Sequence, residues 1–273
     1  MNPDEETVFV KGGRTKKVIK GWNFKSDRHE EAFYKHVGKR NWFLDKNECL
    51  DLPRIQDIKH PISLSKKEIV AYNLAKEEAQ LLITEKGLSG ASLQALTATG
   101  VFAKLRQITG GRAISEEGVT VHGSSKLDAL SDILDENPRG VVIWAEYRAS
   151  IDAISELLDS RNEAHGIIDG RTKDAREIVD DFVAGRTTRV IAHPQSAGHG
   201  IDGLQKKSSD AIFYEMGFSS EFHEQARDRI HRSGQELPVT YHYLIAKDSV
   251  DEAAYAIVRE KMDSQAKLLE CLD

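Results

Sequence analysis

Cysteine is scarce: Cys49 and Cys271 stand near opposite ends without metal-ligand spacing, which excludes a disulfide framework and fits a reducing cytoplasm. Long apolar runs are missing too. The longest, Val141 to Ala145, is far too short to cross a bilayer, and the acidic start MNPDEETVFV lacks the basic-then-apolar order of an export leader. No membrane partner and a cytoplasmic location are therefore expected. There is no excess of positive charge, the formal net charge being -6, so a domain that grips nucleic acid by bulk charge is excluded and any phosphate contact must be local. No internal repeat or low-complexity tract occurs. No Gly-x4-Gly-Lys-Ser/Thr loop is found, and no acidic pair follows an apolar strand. Asp251-Glu252 follows Ser249-Val250 and reads as first-turn acid favoured by a helix dipole. A chain without these two elements lacks the usual means of cradling nucleotide phosphates and Mg²⁺.

Two textures are present. Residues 1–122 are charged and mainly helical in pattern, opening with a loop or hairpin at KGGRTKKVIKGW. Ser65 with Glu68 forms a capping box; Ile69, Tyr72, Ala79, Leu82 and Ile83 follow at helical spacing until Gly87. A second helix is predicted from Ser92 to Ile108, burying Leu93, Leu96, Val101, Leu105 and Ile108 before Gly110-Gly111. Residues 123–273 alternate short apolar strands with amphipathic helices. Strands are predicted at Val141 to Ala145, His165 to Ile168, Arg189 to Ala192, Ala211 to Glu215 and Thr240 to Ile245. That alternation implies an α/β fold, a parallel sheet with helices on both faces, whose ligands bind beyond the carboxyl ends of the strands.

Two segments fall in such loops. In QARDRIHRSGQ, Gln225 to Gln235, a short helix is predicted that puts Arg229 and Arg232 three apart on one face, able to converge on one anion. Arg227 lies at a different angle, so its loss is expected to cost activity far less than that of the other two unless it binds DNA, and the fold should survive it. In HPQSAGHGIDGLQ, His193 to Gln205, glycines allow close backbone approach to a phosphate.

The first segment resembles the sixth motif of superfamily 2 helicases in the form carried by Swi/Snf-type DNA translocases; the second resembles their fifth. VIWAEY (Val142 to Tyr147) resembles the fourth, and IDGRT (Ile168 to Thr172) with Arg176 the Asp-Gly-Ser/Thr segment after it. LRQITGG (Leu105 to Gly111) and DLPRIQDIKHPISLS (Asp51 to Ser65) resemble the stretches that precede the second lobe. Similarity thus runs from about Asp51 to Met262, and the His-Pro-x-Ser-Ala-Gly-His-Gly wording is similar to that of bacteriophage members. The chain departs from the family at Gly198-His199, Asp202 and Phe218-Ser219-Ser220.

The resemblance implies a RecA-like second motor lobe, residues 123–273, preceded by a helical segment, residues 1–122, with the Gly-Lys lobe absent. It implies Arg229 and Arg232 as arginine fingers with Gln225 positioning them or a water. Gly198, Gly200, Asp202 and Asp228 would contribute to ATP binding, and Ser196, His193, Arg171 and Arg148 would contact DNA. ATP and Mg²⁺ would be shared with a first lobe of the same protein, the other partner being double-stranded DNA, and the chain would be monomeric, in the host cytoplasm if phage-encoded. A non-catalytic DNA-binding or interaction module derived from such a lobe is the alternative. Gly198-x-Gly200-x-x-Gly203 also fits a dinucleotide fingerprint, but the helix that fingerprint requires is not predicted after it. His193 with His199, and His223 with His231, lack the partners of a metal site.

Overall fold

The computed structural model describes residues 2–10, 14–23, 28, 50–85, 91–115, 118–197 and 201–270. The opening segment is a hairpin, β1 (Asn2–Val10) paired antiparallel with β2 (Arg14–Asn23). The main body is a six-stranded, wholly parallel sheet. Its strands are β3 (Ile55–Ile62), β6 (Gly140–Trp144), β7 (His165–Ile168), β8 (Arg189–Ala192), β9 (Ser208–Phe213) and β10 (Val239–Ala246), in spatial order β3-β10-β9-β6-β8-β7. β6 and β8, inside the sheet, are buried at every position, as strands covered on both faces must be.

One face is covered by α3 (Ser125–Glu136) and α4 (Arg148–Ser160), whose Leu130, Leu134, Ile151, Ile154 and Leu158 pack on Val141, Ile143, Ile191 and Ile212. The other carries α5 (Ala175–Val183), α7 (Ser220–Asp228) and α8 (Val250–Glu270), burying Phe182, Ala226 and Val258 against Trp144, Phe213, Tyr241 and Tyr243. A four-residue helix, α6 (Pro194–Ala197), lies between β8 and β9.

α1 (Lys66–Glu85) and α2 (Ala91–Thr109) pack on each other, and a small hairpin, β4 (Arg112–Ser115) and β5 (Gly118–Val121), follows. The predicted capping box forms: the Ser65 N–H donates to Glu68 Oε2 at 2.7 Å and the Glu68 N–H to Ser65 Oγ at 3.3 Å. Glu68 also accepts from the Ser125 N–H and hydroxyl, so it joins α1 to α3. Burial alone would raise its pKa, but hydrogen bonds from the hydroxyl and N–H groups of Ser125 and Ser65 hold it below the ordinary glutamate value. Any side chain at Gly123 would strike it, the Cβ falling 2.3 Å from Glu68 Cδ. Tyr72, Leu105 and Ile108 are buried as expected, whereas Ile69 is 45% exposed because only one flank of α1 meets α2. The side chains of Leu93, Leu96, Ala79, Leu82 and Ile83 lie outside the described residues.

A buried junction ties these helices to the sheet. Lys126 Nζ sits 2.6 Å from Asp251 and donates to the Tyr214 carbonyl at 3.1 Å. Asp251 also accepts from the Thr109 hydroxyl at 3.0 Å and the Ala246 N–H at 3.1 Å. It stands in the first turn of α8, but this ion pair, which no local pattern announced, defines its part in the fold far more than the helix dipole does. Tyr72 Oη accepts from the Val250 N–H, and Tyr214 Oη donates to the Gly110 carbonyl.

Candidate active site

The carboxyl ends of the strands carry the residues singled out above. Arg148 opens α4 after β6, Arg171 follows β7, His193 and Ser196 follow β8, and Gln225 to Arg232 lie beyond β9. The predicted helix through Gln225 to Gln235 is shorter than expected. α7 stops at Asp228, with Arg229 as its C-cap, and the chain then turns, reaching Gly234 at φ +89°. Ser233-Gly234 offers little helix propensity, and the left-handed conformation at Gly234 is one that side-chain-bearing residues resist.

The turn nevertheless keeps both arginines on one side. Gln225, Asp228, Arg229 and Arg232 line a single shallow open cleft. Arg229 Nη1 donates to the Ile201 carbonyl at 2.8 Å, and Arg232 Nη1 lies 3.3 Å from Asp202 Oδ1. Burial, together with the like charge of Arg232, lowers the pKa of Arg229, against the pull of Asp202 and Asp228. Gln225 Nε2 donates to Glu221 at 3.2 Å, and its buried Oε1 has no hydrogen-bond partner among the described residues. The fifth-motif loop thus meets the sixth through Ile201 and Asp202. Gln235 strengthens this contact by donating to the Gln205 and Ser208 carbonyls, while Gln205 accepts from the Gly203 N–H. Gly198, His199 and Gly200 lie outside the described residues. After Gly203 comes only a single 3-10 turn, Leu204–Lys206, before β9, so no dinucleotide-type helix begins there.

Arg171 and Arg148 form a separate group. Arg171 is held between Asp169, at 2.6 Å, and Asp152, at 2.8 Å. Burial pushes the Asp169 carboxyl up, yet the Arg171 hydrogen bonds and the charge of Arg148 keep it below its usual range. His193 Nδ1 accepts from the Gln195 N–H at 3.2 Å at the start of α6, which bears Ser196 and packs against α7.

Arg227 overturns the expectation made for it. It is only 9% exposed, pairs with Asp57 at 2.6 Å, donates to Tyr243 and lies over the Tyr241 ring, 4.0 Å from its centroid. Its loss would take from Asp57 one of its two guanidiniums and from the Tyr243 hydroxyl a charged donor, so it is part of the core rather than a bystander.

Sequence reasoning also missed Glu215, fully buried just past β9. It accepts from the Ser150 hydroxyl at 2.6 Å and from the N–H groups of Glu146 and Tyr147. Burial, only partly offset by Lys126 and these bonds, raises its pKa to about 7. The one signal was its place as the last residue of the apolar run predicted as a strand, Ala211 to Glu215. Among the described residues no group of histidines, cysteines or carboxylates could hold a metal ion, and no helix is long and apolar enough to cross a membrane.

A parallel sheet whose carboxyl-end loops bring an arginine pair against a glycine-bearing loop defines a RecA-like lobe. Residues 125–234 match the helicase conserved C-terminal domain. The lobe resembles those of the Swi/Snf type of superfamily 2. The chain is 24% identical over 206 residues, 72% of its length, to the SWI/SNF-related matrix-associated actin-dependent regulator of chromatin subfamily A-like protein 1 of Xenopus tropicalis, covering 22% of that protein. To protein p41 of Acyrthosiphon pisum secondary endosymbiont phage 1 it is 27% identical over 260 residues, 90% of this chain and 53% of that one. The C-terminal part of the Fun30 ATPase domain has the same fold, with TM-score 0.61 at 18% identity over 76% of this chain and 90% of that one. So does the Sulfolobus solfataricus SWI2/SNF2 ATPase core in complex with double-stranded DNA, with TM-score 0.59 at 20% identity over 76% of this chain and 44% of that one. The chain spans only 20%, 24% and 22% of the first curated relatives it matches.

Proposed function

We propose that the chain acts as the second motor lobe of an ATP-dependent double-stranded DNA translocase, completing a nucleotide site whose Gly-Lys loop and Mg²⁺-binding acids belong to a first lobe. The observation that carries this reading is the convergence of Arg229 and Arg232 on one cleft with Gln225 and Asp228, beside Asp202 of the fifth-motif loop. Phosphoryl transfer needs little from a protein beyond positioning and charge neutralisation, and a guanidinium entering from across a cleft stabilises negative charge that grows on the transferring group. Arg229 and Arg232 supply that charge, Gln225 places them or the attacking water, and Asp228 orients a guanidinium. Gly198 and Gly200 offer backbone N–H groups to phosphate.

DNA is contacted by Ser196, His193, Arg171 and Arg148, all on carboxyl-end loops or helix starts. The acidic chain provides only local backbone-directed contacts, so binding is indifferent to sequence and falls steeply with salt. The relative solved with double-stranded DNA supports this partner. Residues 123–273, completed by the edge strand β3 from the preceding segment, form the motor lobe, and the rest of residues 1–122 leads into it; the protein works as a monomer in the cytoplasm of its host.

The test joins this chain to a Swi/Snf-type first lobe and measures DNA-stimulated ATP hydrolysis. Arg229→Ala and Arg232→Ala should each lower kcat by about 10³-fold or more with little change in nucleotide affinity, since the lost interaction belongs to the transition state. The chain alone should hydrolyse no ATP. Small, equal effects of both substitutions would assign these arginines to an ordinary solvated surface and favour a non-catalytic module.

A further inference from the structure

The bend that delivers Arg229 and Arg232 to the cleft begins at a residue facing the other way. The carbonyl of Arg227 accepts from Tyr241 Oη at 2.7 Å and from the N–H groups of Ile230 and His231 at 3.0 Å each, and this is where α7 gives way to the turn. Its side chain crosses the Tyr241 ring and ends against Asp57 and Tyr243. Asp57 lies on the edge strand β3, and its second oxygen accepts from Arg259 of α8 at 3.0 Å. The same strand's approach holds the far side of the bend, because His231 Nε2 meets the Pro53 carbonyl at 2.9 Å. One carboxylate thus fixes two guanidiniums from two helices, at the point where the sixth motif turns.

We propose that Asp57 is a positioning residue for the arginine cleft, setting the bend at Arg227 and through it the placement of Arg229 and Arg232. The proposal rests on the reading of those two arginines as phosphate-facing. Arg227 is buried, and a buried guanidinium persists only where a carboxylate and hydroxyls answer it. Without Asp57 it must move toward water. The main chain at 227, which anchors three hydrogen bonds, moves with it, and Arg229 and Arg232 follow.

Asp57→Asn and Tyr243→Phe in the full chain test this with two separate readouts. Tyr243→Phe removes one hydroxyl and no charge, so it is the milder variant if Asp57→Asn does not fold. The first readout is the Nε–Hε NMR resonances of Arg229 and Arg232 in the chain alone. The second is kcat and KM for ATP after the chain is joined to a first lobe. Both resonances should shift in each folded variant, and kcat should fall roughly tenfold for Asp57→Asn while KM stays within about twofold, as for a misplaced catalytic group. Asp57→Glu should recover part of the loss. Variants that melt earlier but leave both arginine resonances and kcat unchanged would overturn the proposal, leaving Asp57 a purely structural ion pair. Shifted resonances in a chain whose joined wild-type form hydrolyses no ATP would instead support the positioning by Asp57 and refute the motor reading.

Discussion

Lys126 and Arg232 each face an aspartate, under opposite conditions. Lys126 Nζ lies 2.6 Å from Asp251, with side chains 0% and 9% exposed, whereas Arg232 Nη1 lies 3.3 Å from Asp202, with 35% and 67% exposed. In the first pair water is excluded, and Thr109, Ala246 and Tyr214 complete the remaining hydrogen bonds. The second sits at the rim of an open cleft, where solvent screens it and either partner can turn to a ligand. The same ionic chemistry therefore serves as a fastener where it is enclosed and as a reserve of charge where it is not.

Stability measurements break this comparison most sharply. Lys126→Ala strands the Asp251 carboxylate in the interior and should cost about 3–5 kcal/mol in urea denaturation, while Arg232→Ala should stay within about 0.5 kcal/mol. Similar losses for both would mean that the cleft pair is as structural as the junction.

The pH dependence sharpens it further. His223, next to Tyr243 and the Phe213 ring, is driven by burial and the nearby Arg227 to a pKa of about 3. Between its ordinary value and about 3 the unfolded chain takes up a proton that the folded one refuses, so stability is lost as pH falls through that window. Glu215 acts oppositely. With its folded pKa raised to about 7, the folded chain keeps a proton that the unfolded one has already released, and stability is lost as pH rises toward that value. Each slope is at most about 1.4 kcal/mol per pH unit. Glu215→Gln should flatten the rise-side loss and His223→Gln the acid-side loss, each read from urea midpoints between pH 4 and 8; a variant that leaves its own limb unchanged would refute that assignment.

The smallest effect belongs to the α1 cap. Ser65→Ala removes the oxygen that receives the Glu68 N–H, and should cost about 1 kcal/mol. Because Glu68 keeps Ser125, a loss several times larger would show that α1 and α3 are coupled through the cap rather than through Glu68 alone.

These contrasts explain what could be read in advance. β8 stands where its short apolar run predicted, because a strand buried on both faces must be largely apolar, and β7, half-buried at the sheet edge, also keeps its predicted bounds. β9 begins earlier than expected, at Ser208, since Ser208 and Asp210 pair with β6 across a register shift at Ser209 yet carry no apolar signal. β3 was not legible as a strand at all. IQDIKHPI mixes charges with a proline, and such a sequence belongs at an edge where one side of the ladder is free. The arginine cleft was legible from local order alone. The burial of Arg227 was not, because Asp57 lies 170 residues away and only folding brings them together.

That edge strand has a mechanical meaning. β3 runs parallel to β10 in unbroken register from Ile55↔Val239 to Ile62↔Ala246. A pull applied along this strand would load the ladder in shear, so that its hydrogen bonds resist together instead of opening one at a time. Asp57, tied to Arg227 and Arg259, and His60, 3.0 Å from His242, act as pegs on opposite faces of the same strand. Displacing this edge strand would therefore strain the helix that ends in the arginine turn as well as the sheet.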